Sequence, residues 1–231
     1  MAKTYFVSIE ELAEFASDDF AKRAKEAIAQ RGVFNVALSG GNTPKYLFDL
    51  LALRPDISWS KVHLFWGDER YVLQKDPQSN YRMTVEHLIS KIPIPKANIH
   101  PIDTSHEDPK ESACAYQDSV PAVFDLIYLG MGPDGHMASL FPGTKLVKDI
   151  VAGKIADDQL VASTWVEKFN MYRITFLPSL INAARCVNFL VAGEDKAEAL
   201  NEVLDGVRDP EMYPAQLIDV LNGELNWLIS T

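Results

Sequence analysis

Two residues capable of acid–base chemistry stand close together on a glycine-rich segment in the middle of the chain. Asp134 and His136 follow an apolar run at residues 124–129 that is typical of a strand buried on both faces. Glycines between residues 130 and 135 then interrupt regular structure. Open α/β sheets bind ligands at the carboxyl ends of their strands, so this segment is a candidate active site. The alternative is a loop that is polar only because water solvates it.

The same segment also matches a dinucleotide-binding pattern. Residues 130–135 fit G-x-G-x-x-G after a strand. That pattern requires a long helix opening at its last glycine, whose backbone amides hold a pyrophosphate. The Leu-Phe-Pro-Gly at residues 140–143 stops any helix after about one turn, and Asp134 would add a negative charge beside the phosphates. The case for a nucleotide is therefore weak.

A second glycine-containing turn follows the strand predicted at residues 33–38 and reads Ser39-Gly40-Gly41-Asn42-Thr43. Asn42 or Thr43 can cap a helix, and Pro44 suits its first position. Glycines before a helix N terminus let backbone N–H groups approach an anion, and the helix dipole adds attraction. The Gly-Lys-Ser/Thr ending of a Walker loop is missing. The loop is either a tight strand-to-helix turn or a phosphate site, and its serine and threonine hydroxyls favour phosphate.

Charged residues follow two further predicted strands. Asp68, Glu69 and Arg70 come after the strand at residues 62–66, where they form either a solvated edge or part of the cleft. Lys196 falls in the first turn of the helix predicted after the strand at residues 187–192. A lysine there opposes the helix dipole unless an anion lies nearby.

The remaining periodicity alternates between helix and strand. Ser8, with Glu11 three residues later, predicts the start of a helix that Gly32 ends. Further helices are predicted at residues 81–89, 109–120 and 197–204, and further strands at residues 160–165 and 172–177. Asn222-Gly223 predicts a hairpin between residues 217–221 and 224–229. Four histidines share no spacing and receive no role: His63, His87, His100 and His106.

Composition narrows the class of protein. The chain has 231 residues, 47% of them hydrophobic, with no repeat and no long linker, which predicts a single α/β domain over residues 1–231. A net charge of −10 argues against a nucleic-acid or anionic-membrane surface. An acidic N-terminal segment and the lack of an apolar run of roughly 20 residues predict a soluble cytoplasmic protein. Cys114 and Cys186 are expected to be reduced, buried thiols.

Four blocks of the sequence together resemble the 6-phosphogluconolactonase family. They are residues 39–44; residues 67–70 with Ser79-Asn80; residues 129–143; and Arg173-Ile174-Thr175 with Gly193 and Lys196. The blocks occur in the family's order and span residues 33–200. One departure is Met137, where the family usually has threonine, and we interpret it as a tolerated change in packing.

The resemblance implies a Rossmann-like α/β fold, similar to glucosamine-6-phosphate deaminase, with a mostly parallel central sheet and helices on both faces. It also implies hydrolysis of 6-phospho-D-glucono-1,5-lactone to 6-phosphogluconate in the pentose phosphate pathway, without a metal or organic cofactor. The expected partner is therefore a small sugar-phosphate lactone, with no nucleic acid or membrane. The expected assembly is a monomer or small homo-oligomer.

In this scheme His136 is the general base that activates water, since histidine has a reference pKa of roughly 6.5. Asp134 tunes or orients it, and Arg70 or the glycine amides near residues 130–135 stabilise the oxyanion. The substrate and its phosphate are assigned to the following residues: Ser39, Gly40, Gly41, Asn42, Thr43, Asp68, Asn80, Arg173 and Lys196.

Two other functions stay open at this point. Glucosamine-6-phosphate deaminase shares the glycine loop and the Asp-Gly-His, but it carries a catalytic glutamate shortly after the histidine. Residues 138–142 read Ala-Ser-Leu-Phe-Pro here and contain no carboxylate. A non-catalytic sugar-phosphate sensor of the same fold usually has a DNA-binding domain, and this acidic chain lacks the length and the basic surface for one.

Overall fold

A computed structural model describes residues 1–230. Over this range the chain forms nine strands: β1 (Ala2–Tyr5), β2 (Phe34–Leu38), β3 (Val62–Trp66), β4 (Asp68–Arg70), β5 (Leu126–Gly130), β6 (Val161–Val166), β7 (Met171–Phe176), β8 (Cys186–Ala192) and β9 (Glu224–Ser230). Its α-helices are α1 (Ile9–Arg31), α2 (Asn42–Leu51), α3 (Asn80–His87), α4 (Pro109–Gln117), α5 (Lys145–Val151), α6 (Pro178–Asn182) and α7 (Ala197–Asp205).

Six strands form the central sheet in the order β1-β9-β8-β5-β2-β3, and every neighbouring pair in it is parallel. The strands carry buried apolar side chains on both faces, as in β2, where Phe34, Val36, Ala37 and Leu38 are all fully buried. Such runs are expected where helices cover both faces of a parallel sheet. The predicted mostly parallel α/β class is confirmed.

The order of the strands creates a crevice between β2 and β5. From β2 the chain continues outward to β3 on one side, whereas β5, β8 and β9 follow one another on the other side. The loops after β2 and β5 therefore leave the sheet side by side and in the same direction. Open α/β sheets bind ligands at such a switch point. The topology thus brings the glycine loop at residues 39–43 to the Asp134–His136 segment.

A second, antiparallel sheet of three strands, in the order β4-β7-β6, lies beside the crevice. Gly67 joins the two sheets, because its N–H donates to Leu38 O at 2.9 Å and its carbonyl accepts from the Phe176 N–H at 2.8 Å. Strands β6 and β7 are linked by a short 3-10 turn, Glu167–Phe169, that ends at Asn170 with a φ of +49°. This sheet places one face of β4 and β7 against the crevice.

Local signals fixed the first helix as predicted. The Ser8 side chain accepts from the Glu11 N–H at 3.3 Å, and the Glu11 carboxylate accepts from the Val7 N–H at 3.1 Å. Gly32 ends α1 with a φ of +83°. Leu12, Ala16 and Phe20 are buried along one face. None of the helices within residues 1–230 is long and apolar enough to cross a membrane.

Four predictions were wrong. Residues 217–229 do not form a hairpin: Pro214–Leu217 is a 3-10 turn, and β9 lies parallel between β8 and β1. Asn182 holds residues 217–219 instead, through bonds to Leu217 O and the Asp219 N–H. Helix α2 begins at Asn42 after Gly41, so Pro44 is not its first residue. Helix α4 ends at Gln117 rather than at residue 120. Cys114 is exposed, although Cys186 is buried as expected.

Candidate active site

A cavity of about 280 Å³ opens at the carboxyl ends of β2, β5 and β8, in the crevice described above. Of the residues that the sequence assigned to the site, all except Asp134 line it. They are Ser39, Gly40, Gly41, Asn42, Thr43, Asp68, Arg70, Asn80, His136, Arg173 and Lys196. Asp134 lies just behind this wall, in contact with His136. The structure thus brings the predicted set together around one cavity.

The catalytic candidates form a hydrogen-bonded pair. Asp134 Oδ1 lies 2.5 Å from His136 Nδ1 and 3.4 Å from the His136 N–H. The backbone between residues 132 and 136 closes into a tight turn, in which the Gly132 N–H donates to His136 O at 2.9 Å. A β-carbon on Gly132 would lie 2.0 Å from His136 Cε1. Glycine at this position is therefore what allows the imidazole to fold back onto Asp134.

Asp134 is held in its ionised form by two donors. Its second oxygen, Oδ2, accepts from Lys168 Nζ at 3.0 Å. Burial opposes the charge, but the hydrogen bonds and the charges of His136 and Lys168 outweigh it and hold the pKa of Asp134 well below its usual range. An ionised carboxylate on Nδ1 fixes the Nδ1–H tautomer of the imidazole and leaves Nε2 as the basic nitrogen.

An aromatic ring supports the histidine from another side. The rings of His136 and Phe141 stack with a centroid distance of 4.0 Å and an interplanar angle of 26°. Phe141 is only 4% exposed and lines the cavity, so it gives the imidazole a fixed, apolar surface. Phe169 packs edge-on against Phe141, with their centroids 5.6 Å apart.

The glycine loop continues β2 directly into α2. Gly41 is the residue before the helix and has a φ of +106°, a backbone conformation that residues with a β-carbon rarely adopt. It offers no side chain to cap the amides of the first turn, and these have no partners within the helix itself. Because Gly41, Asn42 and Thr43 line the cavity, this helix end can receive an anion.

Two arginines face the cavity from the second sheet. Arg70 in β4 and Arg173 in β7 are direct cross-strand partners. The Nε atom of each arginine is buried, and neither Nε atom has a hydrogen-bond partner within residues 1–230. Burial lowers the pKa of Arg173, although the charge of Asp68 acts to raise it. The Arg173 guanidinium carbon lies 5.1 Å from the centroid of the Phe169 ring. Paired guanidinium groups with unused donors form a strong anion site.

Asp68 and Asn80 form the polar wall between the arginines and the glycine loop. Asp68 is 6% exposed, and its carboxylate accepts from Ser139 Oγ at 2.6 Å. Asn80 Nδ2 donates to Asp68 O at 2.9 Å. The Asn80 side chain also packs so closely on Gly40 that a β-carbon there would lie 2.0 Å from Asn80 Oδ1.

Glu69 turns away from the cavity. Its carboxylate accepts from the N–H groups of Asn80 and Tyr81, both at 2.8 Å, and so caps the start of α3. Burial raises the pKa of Glu69 in spite of these bonds. The charged run after β3 thus divides into two cavity residues and one structural cap.

Lys196 is half-buried at the start of α7 and lines the cavity from the β8 side. Burial lowers the pKa of Lys196, and Asp195 opposes this. Within residues 1–230 no group of three His, Cys, Asp or Glu side chains converges as a metal site. The cavity therefore combines one acid–base pair with several cationic donors.

Sequence reasoning missed four residues of this site: Ser139, Phe141, Lys168 and Phe169. Ser139 and Phe141 lie inside the block at residues 129–143 that resembles the family, but their types gave no chemical signal. Lys168 and Phe169 lie on the turn between β6 and β7, which only becomes part of the site once β7 pairs with β4. No spacing in the sequence indicates that pairing.

Comparison with known proteins gives a consistent picture. The sequence model of the family described as glucosamine-6-phosphate isomerases/6-phosphogluconolactonase matches residues 8–227. The 6-phosphogluconolactonase of Synechocystis sp. is 44% identical over 217 residues, which cover 90% of this chain and 86% of that protein. The 6-phosphogluconolactonase of Haemophilus influenzae is 36% identical over 225 residues, covering 90% and 93%.

Solved structures agree. A 6-phosphogluconolactonase from Thermotoga maritima matches with a TM-score of 0.84 and 29% identity, covering 100% of this chain and 99% of that one. A monomeric glucosamine-6-phosphate deaminase matches with a TM-score of 0.83 at 19% identity, covering 100% and 97%, which shows a shared fold alone. On these matches, the chain belongs to the glucosamine-6-phosphate isomerase/6-phosphogluconolactonase family.

Proposed function

We propose that this protein hydrolyses 6-phospho-D-glucono-1,5-lactone to 6-phosphogluconate, the lactonase step of the pentose phosphate pathway. The observation that carries the proposal is the placement of His136, bonded to Asp134 behind it, in the wall of a cavity that two arginines and an uncapped helix N terminus also line. A base and an anion site together suit a phosphorylated ester. The relatives named 6-phosphogluconolactonase support the same substrate.

The reaction needs a base, a water molecule and a place for negative charge. In our proposal, His136 Nε2 takes a proton from water while the water oxygen bonds to the lactone carbonyl carbon. The carbonyl oxygen then carries the negative charge, which Arg70 or the amides near residues 130–135 stabilise. When the bond to the ring oxygen breaks, the imidazolium returns its proton to that oxygen. The products are a carboxylic acid, which ionises, and a hydroxyl group.

Asp134 has a supporting part in this proposal. Its carboxylate accepts from His136 Nδ1, orients the ring and stabilises the imidazolium that forms in the first step. A lactone is an activated ester, so an oriented water suffices and no protein nucleophile is needed.

The 6-phosphate is assigned to the opposite part of the cavity. The amides and hydroxyls of residues 39–43 would receive it at the start of α2, with Arg173 and Lys196 supplying charge. The unused donor on the buried Arg173 side chain supports this assignment. Asp68 and Asn80 would then meet the sugar hydroxyls between the two ends.

Purified protein with freshly generated 6-phosphogluconolactone tests the proposal. We expect hydrolysis well above the spontaneous rate, which must be subtracted, and no deamination of glucosamine 6-phosphate in a parallel assay. Ammonia release without lactone hydrolysis would instead favour the deaminase. The structure argues against that second candidate, because the segment after His136 presents Ala138 and Phe141 to the cavity and no carboxylate.

We further propose that residues 1–231 form a single domain, because buried apolar residues from α1 to β9 belong to one contiguous core. A cytoplasmic location, catalysis without a metal or organic cofactor, and a monomer or small homo-oligomer remain predictions. Size-exclusion chromatography with light scattering would decide the assembly.

A further inference from the structure

A lysine from the second sheet reaches the catalytic pair. Lys168 lies on the Glu167–Phe169 turn between β6 and β7, and its Nζ is 3.0 Å from Asp134 Oδ2. The other oxygen of the same carboxylate, Oδ1, is 2.5 Å from His136 Nδ1. The three side chains thus form a chain in which each carboxylate oxygen has its own donor.

The turn that carries Lys168 is fixed at the cavity mouth. Its next residue, Phe169, lines the cavity, packs against Phe141 at a centroid distance of 5.6 Å and lies 5.1 Å from the Arg173 guanidinium carbon. Phe141 in turn stacks on His136. Phe169, the residue after Lys168, therefore contacts the same phenylalanine that stacks on the imidazole. This packing fixes the turn that carries Lys168 to Asp134.

The exposure of this ion pair argues against a role in stability. The Lys168 side chain is 58% exposed and that of Asp134 is 31% exposed. Ion pairs this open to water contribute little to folding, because water screens the charges and the side chains lose freedom. The contact joins two loops 34 residues apart in sequence, at the carboxylate that contacts His136 Nδ1.

We propose that Lys168 is a positioning residue for the lactonase reaction: it holds the Asp134 carboxylate in the orientation that keeps Nδ1–H of His136 bonded and Nε2 available as the base. This inference rests on the proposed function. Without the lysine, Oδ2 of Asp134 loses its donor and the carboxylate can rotate away from the imidazole, so the rate falls although no group that touches substrate has changed.

Lys168 is one of several charged residues around the pair, and its ammonium contacts the Asp134 carboxylate directly. Other charged groups face the same pair: Arg70, Asp68, Arg173 and Lys196 across the cavity, and Lys110, Lys145, Asp149 and Glu167 along a groove behind Asp134. These remain in the variant.

The test compares Lys168→Met and Lys168→Arg with wild type. The methionine variant should lose about three- to tenfold in kcat at neutral pH, with a smaller change in KM. Arginine keeps the charge and the donor and should restore most of the rate. A methionine variant with the wild-type kcat would overturn the proposal.

The chain offers a matched control. Asp49 on α2 contacts His87 Nδ1 at 3.0 Å and Lys91 Nζ at 2.9 Å, which is the same arrangement of three side chains, and neither Asp49 nor Lys91 lines the active cavity. Lys91→Met also removes one positive charge from the protein. It should leave kcat unchanged. An equal loss of kcat in both variants would mean that net charge, rather than contact with Asp134, is responsible.

A readout without turnover separates this inference from the proposed function. The ring N–H signals of His136 can be followed by NMR and assigned by comparison with His136→Gln. The Nδ1–H signal should be protected from exchange with water in wild type and in Lys91→Met, and it should weaken or disappear in Lys168→Met because Asp134 no longer holds the bond. If wild type fails to hydrolyse the lactone but the signal is lost in Lys168→Met, the proposed function falls and the positioning role stands. An equally strong signal in Lys168→Met and wild type contradicts the positioning role whatever the activity.

Discussion

His136 owes its position to three neighbours that act in different ways. Asp134 binds Nδ1, Phe141 stacks on the ring, and Gly132 leaves room for it. None of these contacts depends on a regular helix or strand. The geometry of the base is thus set by a turn of about five residues together with one buried aromatic ring.

Replacement of the base itself gives the first prediction. His136→Ala should lose about 100-fold or more in kcat, because general base catalysis disappears, while the melting temperature changes little for a partly exposed loop residue. Initial rates with 6-phosphogluconolactone and circular dichroism melts check both points. His87→Ala, which removes a histidine with a similar carboxylate contact outside the cavity, should keep full activity. Near wild-type turnover in His136→Ala would exclude this residue from the mechanism.

The second prediction concerns the room that Gly132 provides. In Gly132→Ala the new β-carbon would overlap the imidazole, so the ring must move away from Asp134. We expect kcat to fall at least tenfold while the binding of inorganic phosphate, measured by thermal shift, is kept. Loss of phosphate binding as well would show that the change spreads through the whole cavity.

The third prediction addresses the phosphate. Lys196→Met and Arg173→Met should weaken the phosphorylated lactone about ten- to a hundredfold, because a charge-assisted hydrogen bond contributes roughly 1.5–3 kcal/mol. Unphosphorylated gluconolactone should be affected far less. The comparison of kcat/KM for the two substrates decides the matter, since equal losses on both would assign these residues to folding or chemistry.

At the scale of the elements, the start of α2 is the part of the site most open to test. Gly41→Ala places a side chain at a φ of +106°, where the nearest atom to the new β-carbon is Pro44 Cδ at 3.9 Å, so strain and not a clash should destabilise the protein by roughly 1 kcal/mol or more. If the first turn of α2 binds phosphate, the same variant should also lose the rise in melting temperature that phosphate gives over chloride of matched ionic strength.

Gly32→Ala is the control for this experiment. Gly32 ends α1 with a φ of +83° and nothing within 4 Å of its β-carbon position, so the backbone penalty is of the same kind at a remote site. This variant should melt lower than wild type and keep the full phosphate increment. A full increment in Gly41→Ala would move the phosphate site away from α2.

For the whole molecule, a histidine pair at the edge of the central sheet predicts sensitivity to acid. His63 Nδ1 in β3 lies 3.0 Å from His100 Nε2, and burial lowers the pKa of both, with the charge of His63 adding to the effect on His100. Below a pH of about 6.5 the unfolded chain therefore binds protons that the folded protein does not. Stability should fall as the pH drops from that value toward the lowered pKa values.

Melting temperatures between pH 7.5 and roughly pH 5 check this prediction. A His63→Gln, His100→Gln double variant should show a smaller decline than wild type over the same range. The comparison removes the contribution of Glu69, whose raised pKa acts in the opposite direction in both proteins. Parallel curves for the two proteins would mean that the pair has no part in acid sensitivity.

The sequence by itself determined the fold class, the family and most of the site. Parallel strands place their carboxyl ends at one edge, so the segments after β2, β3 and β5 had to meet there once each strand was recognised. The boundaries of α1 followed from Ser8, Glu11 and Gly32, because caps are local hydrogen bonds between residues a few positions apart. Such features depend on neighbours in the chain, which the sequence shows directly.

Only the tertiary structure decided how β4 pairs with β7 and what that pairing brings to the site. It sets Arg70 opposite Arg173, turns Glu69 away from the cavity and carries Lys168 to Asp134. It also made β9 a parallel strand where Asn222-Gly223 predicted a hairpin. Partners that lie far apart in the sequence are selected by burial and sheet pairing across the whole molecule, and turn propensity or local spacing carries no record of that choice.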